Sequence, residues 1–126
     1  MCLQLHLSSP LSFSLALTFA ETAAFAMKSV SAGGTDEDGE QSGFSVMVKQ
    51  DGSLWATGSN SLGQFGDGSK VSTASFVQVL SSGVQTVSLG TYHSMVVKQD
   101  GSLWGAGQNK YGQLGDGSKR ERSSFV

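Results

Sequence analysis

Apolar and polar residues alternate with a period of two along Val84-Gln85-Thr86-Val87-Ser88-Leu89, and Gly90 ends the run. That period puts successive side chains on opposite faces of an extended chain, so the stretch predicts a β-strand. Ser94-Met95-Val96-Val97 is a short apolar run with two β-branched residues. It predicts a second strand, buried on both faces. Gln99-Asp100-Gly101 predicts a hairpin turn, because Asp-Gly supplies the positive φ that such turns need. Leu103-Trp104-Gly105-Ala106 is then the returning third strand. Beyond it, Gly112, Gly115 and Gly117 fall close together in Asn109–Ser118. Neither strand nor helix tolerates that density, so a fixed loop is expected in which glycine relieves steric strain.

The same pattern has already run once. Ser45–Val77 aligns without a gap on Ser94–Val126, 49 residues later, with 21 of 33 positions identical. Lys49–Trp55 returns letter for letter as Lys98–Trp104. A fixed period of this size marks a repeat architecture. The first copy opens with Ser29-Val30-Ser31-Ala32-Gly33, answering Thr86–Gly90, and displays a fourth strand at Phe76-Val77-Gln78-Val79. Four short antiparallel strands in about 50 residues describe one blade of a β-propeller. The expected fold is therefore all-β, with one repeat over 27–83 and a second over 84–126 that stops inside its last strand. The repeat assigns Asp51, Gly52, Trp55, Gly58, Asn60, Gly63, Gln64 and Gly66 to scaffold. It does the same for Gly90, His93, Asp100, Gly101, Trp104, Gly107, Asn109, Gly112, Gln113 and Gly115.

Two stretches stand outside the repeat. Eleven residues separate Gly33 from Ser45, where the second copy has three between Gly90 and Ser94. The surplus forms an acidic insertion, 34–42, containing Asp36-Glu37-Asp38-Gly39-Glu40. The other stretch is the leader, 1–26. Its apolar-rich segment Leu11–Ala20 and the small residues of Ala24-Phe25-Ala26 outline a signal peptide, though no Lys or Arg precedes them. The alternative is that translation begins at Met27. The first makes the protein secreted or lumenal; the second makes it cytoplasmic. The apolar segment is shorter than the roughly 20 residues a membrane-spanning helix needs, and no membrane association is expected.

Composition narrows the functional classes. Eight basic against ten acidic residues, a formal net charge of −2, leave no basic face for nucleic acid. Lys119-Arg120-Glu121-Arg122 is a local cluster of the kind a solvated loop carries. Cys2 is the only cysteine, so no intrachain disulfide forms. Gly63–Lys70 and its echo Gly112–Lys119 approach a phosphate loop, but Ser and Lys are transposed and no helix is expected after them. The acidic insertion fails the calcium-loop register, which would put Gly34 and Ser45 at the first and last ligand positions. His93 and Ser94 are adjacent on a strand and point to opposite faces, so they cannot act as base and nucleophile. Asp51, Asp67, Asp100 and Asp116 occupy equivalent turn positions, where Asp binds its own backbone. Neither an enzyme nor a cofactor is expected.

The pattern Gly90-x-x-His93-Ser94, Asp100-Gly101 and Gly107-x-Asn109-x-x-Gly112-Gln113-Leu114-Gly115 resembles the regulator of chromosome condensation repeat. The resemblance covers about Met27–Val126. It implies a seven-bladed β-propeller that binds protein partners through loops at its faces and rims. An aromatic often found before the Gly107 position is Ala106 here, and Thr57 in the first copy, which leaves the stack slightly underfilled. Phe44-Ser45 replaces the His-Ser pair in the first copy, so His93 looks like a polar contact between strands. One branch of the family exchanges nucleotide on a small GTPase; no residue here matches its working loops. The plant ultraviolet-B photoreceptor branch uses Gly-Trp-Arg-His-Thr, against Gly90-Thr91-Tyr92-His93-Ser94 here, so the light-absorbing Trp is missing.

The expectation is a non-catalytic, protein-binding propeller segment, part of a larger protein of this kind. The alternatives are an exchange factor for a small GTPase, a fragment without function, and a short chain that assembles a ring from several copies. Open blade edges make self-association possible. The candidate partner-binding residues are Asp36, Glu37, Asp38 and Glu40 of the insertion, with Tyr92 and Tyr111, whose apolar bodies and polar tips suit interfaces. The competing expectation for both tyrosines is packing between blades.

Overall fold

The computed structural model describes residues 26–34 and 42–126. The leader and the acidic residues Asp36–Glu40 lie outside the described residues. Each regular element described is a β-strand: β1 (Met27–Gly33), β2 (Phe44–Lys49), β3 (Leu54–Gly58), β4 (Thr73–Leu80), β5 (Val84–Leu89), β6 (His93–Lys98) and β7 (Leu103–Gly107). The first four form one antiparallel sheet in sequential order, and the last three form another.

The repeat is visible in the register. Phe44 opposes Gly58 and Val46 opposes Ala56, as His93 opposes Gly107 and Met95 opposes Gly105. The first pairing of each sheet carries the same irregularity, between Met27 and Ser29 and between Val84 and Thr86. Both β-hairpins close identically: Gly52 N–H donates to the Lys49 carbonyl, and Gly101 N–H to the Lys98 carbonyl, each at 2.9 Å. Gly52 and Gly101 stand at φ of 79° and 85°, a region that L side chains rarely adopt.

The end of the chain starts a fourth strand on the second sheet. Arg122 bridges Gly107, and Val126 exchanges both backbone hydrogen bonds with Gly105. These pairs stand 49 residues after Thr73–Gly58 and Val77–Ala56 in the first sheet.

One face of the first sheet packs on one face of the second, β1 and β2 lying against β5. Phe44, Val46, Val48, Leu54 and Ala56 meet Val84, Val87 and Val96, with Phe65 closing the core from the β3–β4 loop. Each buried Val, Leu or Phe side chain among these stabilises the fold by about 1.5–3 kcal/mol. The strand β6 corrects the expectation of burial on both faces. Ser94 and Val96 are buried toward the first sheet, whereas Met95 and Val97 on the opposite face are only half-buried. Trp104 lies with the buried side, flanking the core, so it is not part of the uncovered face. Ala106 is fully buried, and Thr57 donates its hydroxyl to the Thr73 carbonyl at 3.1 Å. The small residues at these two positions are thus accommodated by close packing and a hydrogen bond.

Candidate interaction site at one end of the sheets

Antiparallel order places the β1–β2, β3–β4, β5–β6 and post-β7 connections at one end of the two sheets. The hairpin turns at Asp51-Gly52 and Asp100-Gly101 lie at the other. The acidic insertion leaves and re-enters the fold at the first end, anchored at Gly34 and Gly43. Ser59 N–H donates to the Gly43 carbonyl at 3.0 Å, and a Cβ on Gly33 would meet the Gly90 carbonyl. The topology therefore brings Gly34 and Gly43, the described flanks of the insertion, to the same end as Tyr92 and Tyr111, although they are scattered in sequence.

The long loops at this end are rigid because a buried asparagine organises each. Asn60 is fully buried. Its carbonyl accepts from Phe65 N–H at 3.0 Å, and its amide donates to Asp67 and to the Ser69 carbonyl. Asn109 does the same for Leu114, Asp116 and Ser118. Gln64 and Gln113 accept from Leu62 and Tyr111 N–H, pinning the loop tips. These contacts also dispose of the resemblance to a phosphate loop. The amides of Phe65, Gly66, Gly68 and Ser69 already donate to Asn60, Gly63, Ser123 and Asp67.

The aspartates behave as turn residues. Asp51 accepts from Ser53 N–H at 2.8 Å, and Asp100 from Ser102 N–H at 2.9 Å. Their serine hydroxyls and amides hold both carboxyls below the usual range. Asp116 lies lower still, held by the Ser118 amide and hydroxyl and by Arg122, whose guanidinium is 2.7 Å away. Ser53 and Ser102 in turn accept from the Trp55 and Trp104 indoles, and Lys49 and Lys98 lie over those rings at 4.0 and 3.8 Å.

His93 is positioned by packing. Its ring lies against Gly90 so closely that a Cβ there would overlap it, and Phe44 covers Gly33 in the same way. Burial pushes the His93 imidazole below its ordinary value. Ser94 points to the other face, donating to the Gln64 carbonyl across the joint between the sheets. The two side chains are not brought together.

Of the candidate partner-binding residues, Tyr111 is 77% exposed in this chain, whereas its equivalent Leu62, 49 residues earlier, is half-buried. The Lys110 ammonium sits 5.5 Å from its ring. Tyr92 is half-buried, its carbonyl accepting from Gln108 N–H at 2.9 Å. Sequence reasoning did not single out the Lys70–Glu121 ion pair at 2.8 Å, which joins the two long loops. It also missed an open depression of about 430 Å³ lined by Gly43, Gly58, Ser59, Ser72, Thr73 and Ala74. That depression adjoins the re-entry of the acidic insertion and contains no titratable side chain. Among the described residues, no cluster of three or more His, Cys, Asp or Glu could hold a metal ion.

Residues 51–97 and 84–113 match the regulator of chromosome condensation (RCC1) repeat. Among solved structures, human WBSCR16 is similar at 24% identity, TM-score 0.63, over 79% of this chain. So is Prp20p from Saccharomyces cerevisiae, described with its binding properties to Gsp1p and histones, at 19% identity, TM-score 0.63, over 81% of this chain. The chain spans 24% and 25% of those two structures. No curated protein matches it.

Proposed function

Because the chain belongs to the RCC1 repeat family, we propose that it is a non-catalytic, protein-binding segment of a larger propeller assembly. The observation that carries this is the division of labour at the loop end. Asn60, Gln64, Asn109 and Gln113 are consumed in holding loop backbone, and the aspartates in turns. Tyr111, by contrast, is presented on a pinned loop with most of its surface open. A rigid loop loses little conformational entropy on binding. The acidic residues Asp36, Glu37, Asp38 and Glu40 belong to a connection whose flanks Gly34 and Gly43 lie at the same end as Tyr92. The partner suited to such a surface is a protein that offers basic residues to the insertion and an apolar cleft to Tyr111.

Photocrosslinking from position 111 tests this. A protein captured there in the native chain should be lost when Asp36, Glu37, Asp38 and Glu40 are changed together to Asn and Gln. Capture that survives that change, with circular dichroism unchanged, sinks the reading. A second reading, an exchange factor for a small GTPase, draws support from the binding of Prp20p to Gsp1p. Its check is release of fluorescent GDP from a panel of purified small GTPases; no acceleration by the chain removes it.

A further inference from the structure

The two long loops share their scaffold and differ in charge. The buried asparagine, the glutamine that pins the tip and the turn aspartate recur at 60 and 109, 64 and 113, and 67 and 116. Lys110 and Arg120 of the second loop stand where the first has Ser61 and Val71, so the loop scaffold requires charge at neither position. Residues 60–73 hold one basic and one acidic residue, whereas residues 109–122 hold four basic and two acidic. Both acidic groups of the second loop are matched: Asp116 takes Arg122 at 2.7 Å, and Glu121 takes Lys70 at 2.8 Å. Lys110, Lys119 and Arg120 have no carboxylate partner among the described residues.

Their exposure belongs to the loop itself. Lys110, Lys119 and Arg120 are exposed with blade one beside them on one side. Their equivalents Ser61, Lys70 and Val71 are exposed with blade two beside them on the other. The three positions thus stay open next to a neighbour on either side. Hydrogen bonds also bring them together. The Asn109 amide donates to the Ser118 carbonyl at 3.1 Å, so Lys110 and Lys119 leave the backbone from adjoining points. Arg120 N–H donates to the Ser118 hydroxyl at 3.3 Å, and that hydroxyl donates to Asp116 at 2.9 Å. The backbone carrying these cations is fixed before anything binds, which lowers the entropic cost of binding. Lys119 stands where Lys70 pairs with a glutamate of the following blade, so Lys110 and Arg120 are the members that the fold leaves unused.

We infer that Lys110 and Arg120, with Lys119 between them, form a docking patch for a short run of Asp or Glu in a partner protein. Ammonium and guanidinium groups pair with carboxylates, and a guanidinium holds one through two parallel hydrogen bonds. A nucleic acid is the poorer fit. Its phosphates call for an extended basic face, whereas this patch is bordered by Asp116 and Glu121 on a chain of net charge −2. The patch uses no residue of the acidic insertion and does not require Tyr111, so it stands apart from the partner surface proposed above.

Titration of the isotope-labelled full chain with an octaglutamate peptide, followed by amide chemical shifts, tests it. Amides of residues 109–122 are expected to shift to saturation while those of 60–73 stay in place, the first loop serving as a control in the same tube. Lys110→Ser combined with Arg120→Val installs the residues of the first loop, which the scaffold already accommodates. That pair should weaken binding about tenfold, as expected for the loss of two exposed charge contacts. Removing two charges elsewhere, with Lys28→Ser and Lys98→Ser, should leave binding within about twofold, because screened charges at a distance contribute little. An oligothymidylate of equal charge should bind more weakly than octaglutamate. The inference is overturned by absent shifts at 109–122, by equal shifts in both loops, by a loop variant that binds like the native chain, by an equal loss in the Lys28 and Lys98 variant, or by an oligothymidylate that binds as tightly as the peptide.

Discussion

Lys49–Trp55 and Lys98–Trp104 are the same seven residues in two blades, and their local structure is the same. The turn glycine, the aspartate cap, the indole-to-serine bond and the lysine over the indole all recur. Their burial is not the same: Leu54 is sealed and Leu103 is open. The comparison separates what a repeat encodes locally from what its neighbour supplies. Local geometry follows from the letters. Burial energy follows from whether another blade is in place, which is why repeat stability is close to a sum of unit and interface contributions.

The largest effect that follows is on stability. Leu54→Ala removes a buried side chain and leaves a cavity, costing about 2–5 kcal/mol. Leu103→Ala, at the equivalent position, should stay within about 0.5 kcal/mol, as exposed substitutions usually do. Urea unfolding of the two variants at a concentration where the chain is monomeric checks this. Equal losses would break the comparison, since they would mean the letters alone set the energy.

A smaller effect concerns the polar contact across the joint. Ser94 is buried and its hydroxyl donates to the Gln64 carbonyl. Ser94→Ala leaves that carbonyl short of a partner where water is excluded, costing about 1–3 kcal/mol. Ser45→Ala on the open face of blade one should change stability by less than about 0.5 kcal/mol. Thermal unfolding of the pair measures the difference, and a Ser45→Ala loss as large as that of Ser94→Ala would contradict the assignment of the two faces.

Much of this fold was legible because its signals are local. Period-two alternation located β5, Asp-Gly located both hairpins, and the 49-residue offset carried each assignment into the other copy. What the letters hid is directional. Ser94-Met95-Val96-Val97 is apolar enough to suggest burial on both faces, yet only one face has a neighbour. No single-strand pattern says which side is covered. For the candidate site, sequence could point to Tyr111 as amphipathic, but Leu62 makes the same backbone bond to Gln64 and is half-buried, so loop conformation alone does not set the exposure of Tyr111. That Tyr92, Tyr111 and the flanks of the insertion share one end depends on strand order, which individual residues do not announce.

The smallest effect is one of pH, and it again sets one blade against the other. Blade one buries Phe44 over Gly33 where blade two places His93 over Gly90. Burial lowers the His93 pKa, so below an unfolded value of about 6.5 the unfolded chain binds more protons than the folded one. Stability from this group is therefore full above that pH, declines as pH falls toward the folded pKa, and is flat beneath it. Asp51, Asp100 and Asp116, held low by their hydrogen bonds, stay ionised between pH 7 and 5, so that window isolates the histidine. His93→Phe installs the residue blade one uses and should flatten the decline, with the leader histidine His6 cancelling between the two proteins. Urea midpoints measured at intervals from pH 7 to 5 read the difference. Parallel profiles would show that the ring over Gly90 is as freely protonated in the folded chain as in the unfolded one. The imidazole would then face solvent on the uncovered side of blade two, and the match between the two rings would be one of shape alone.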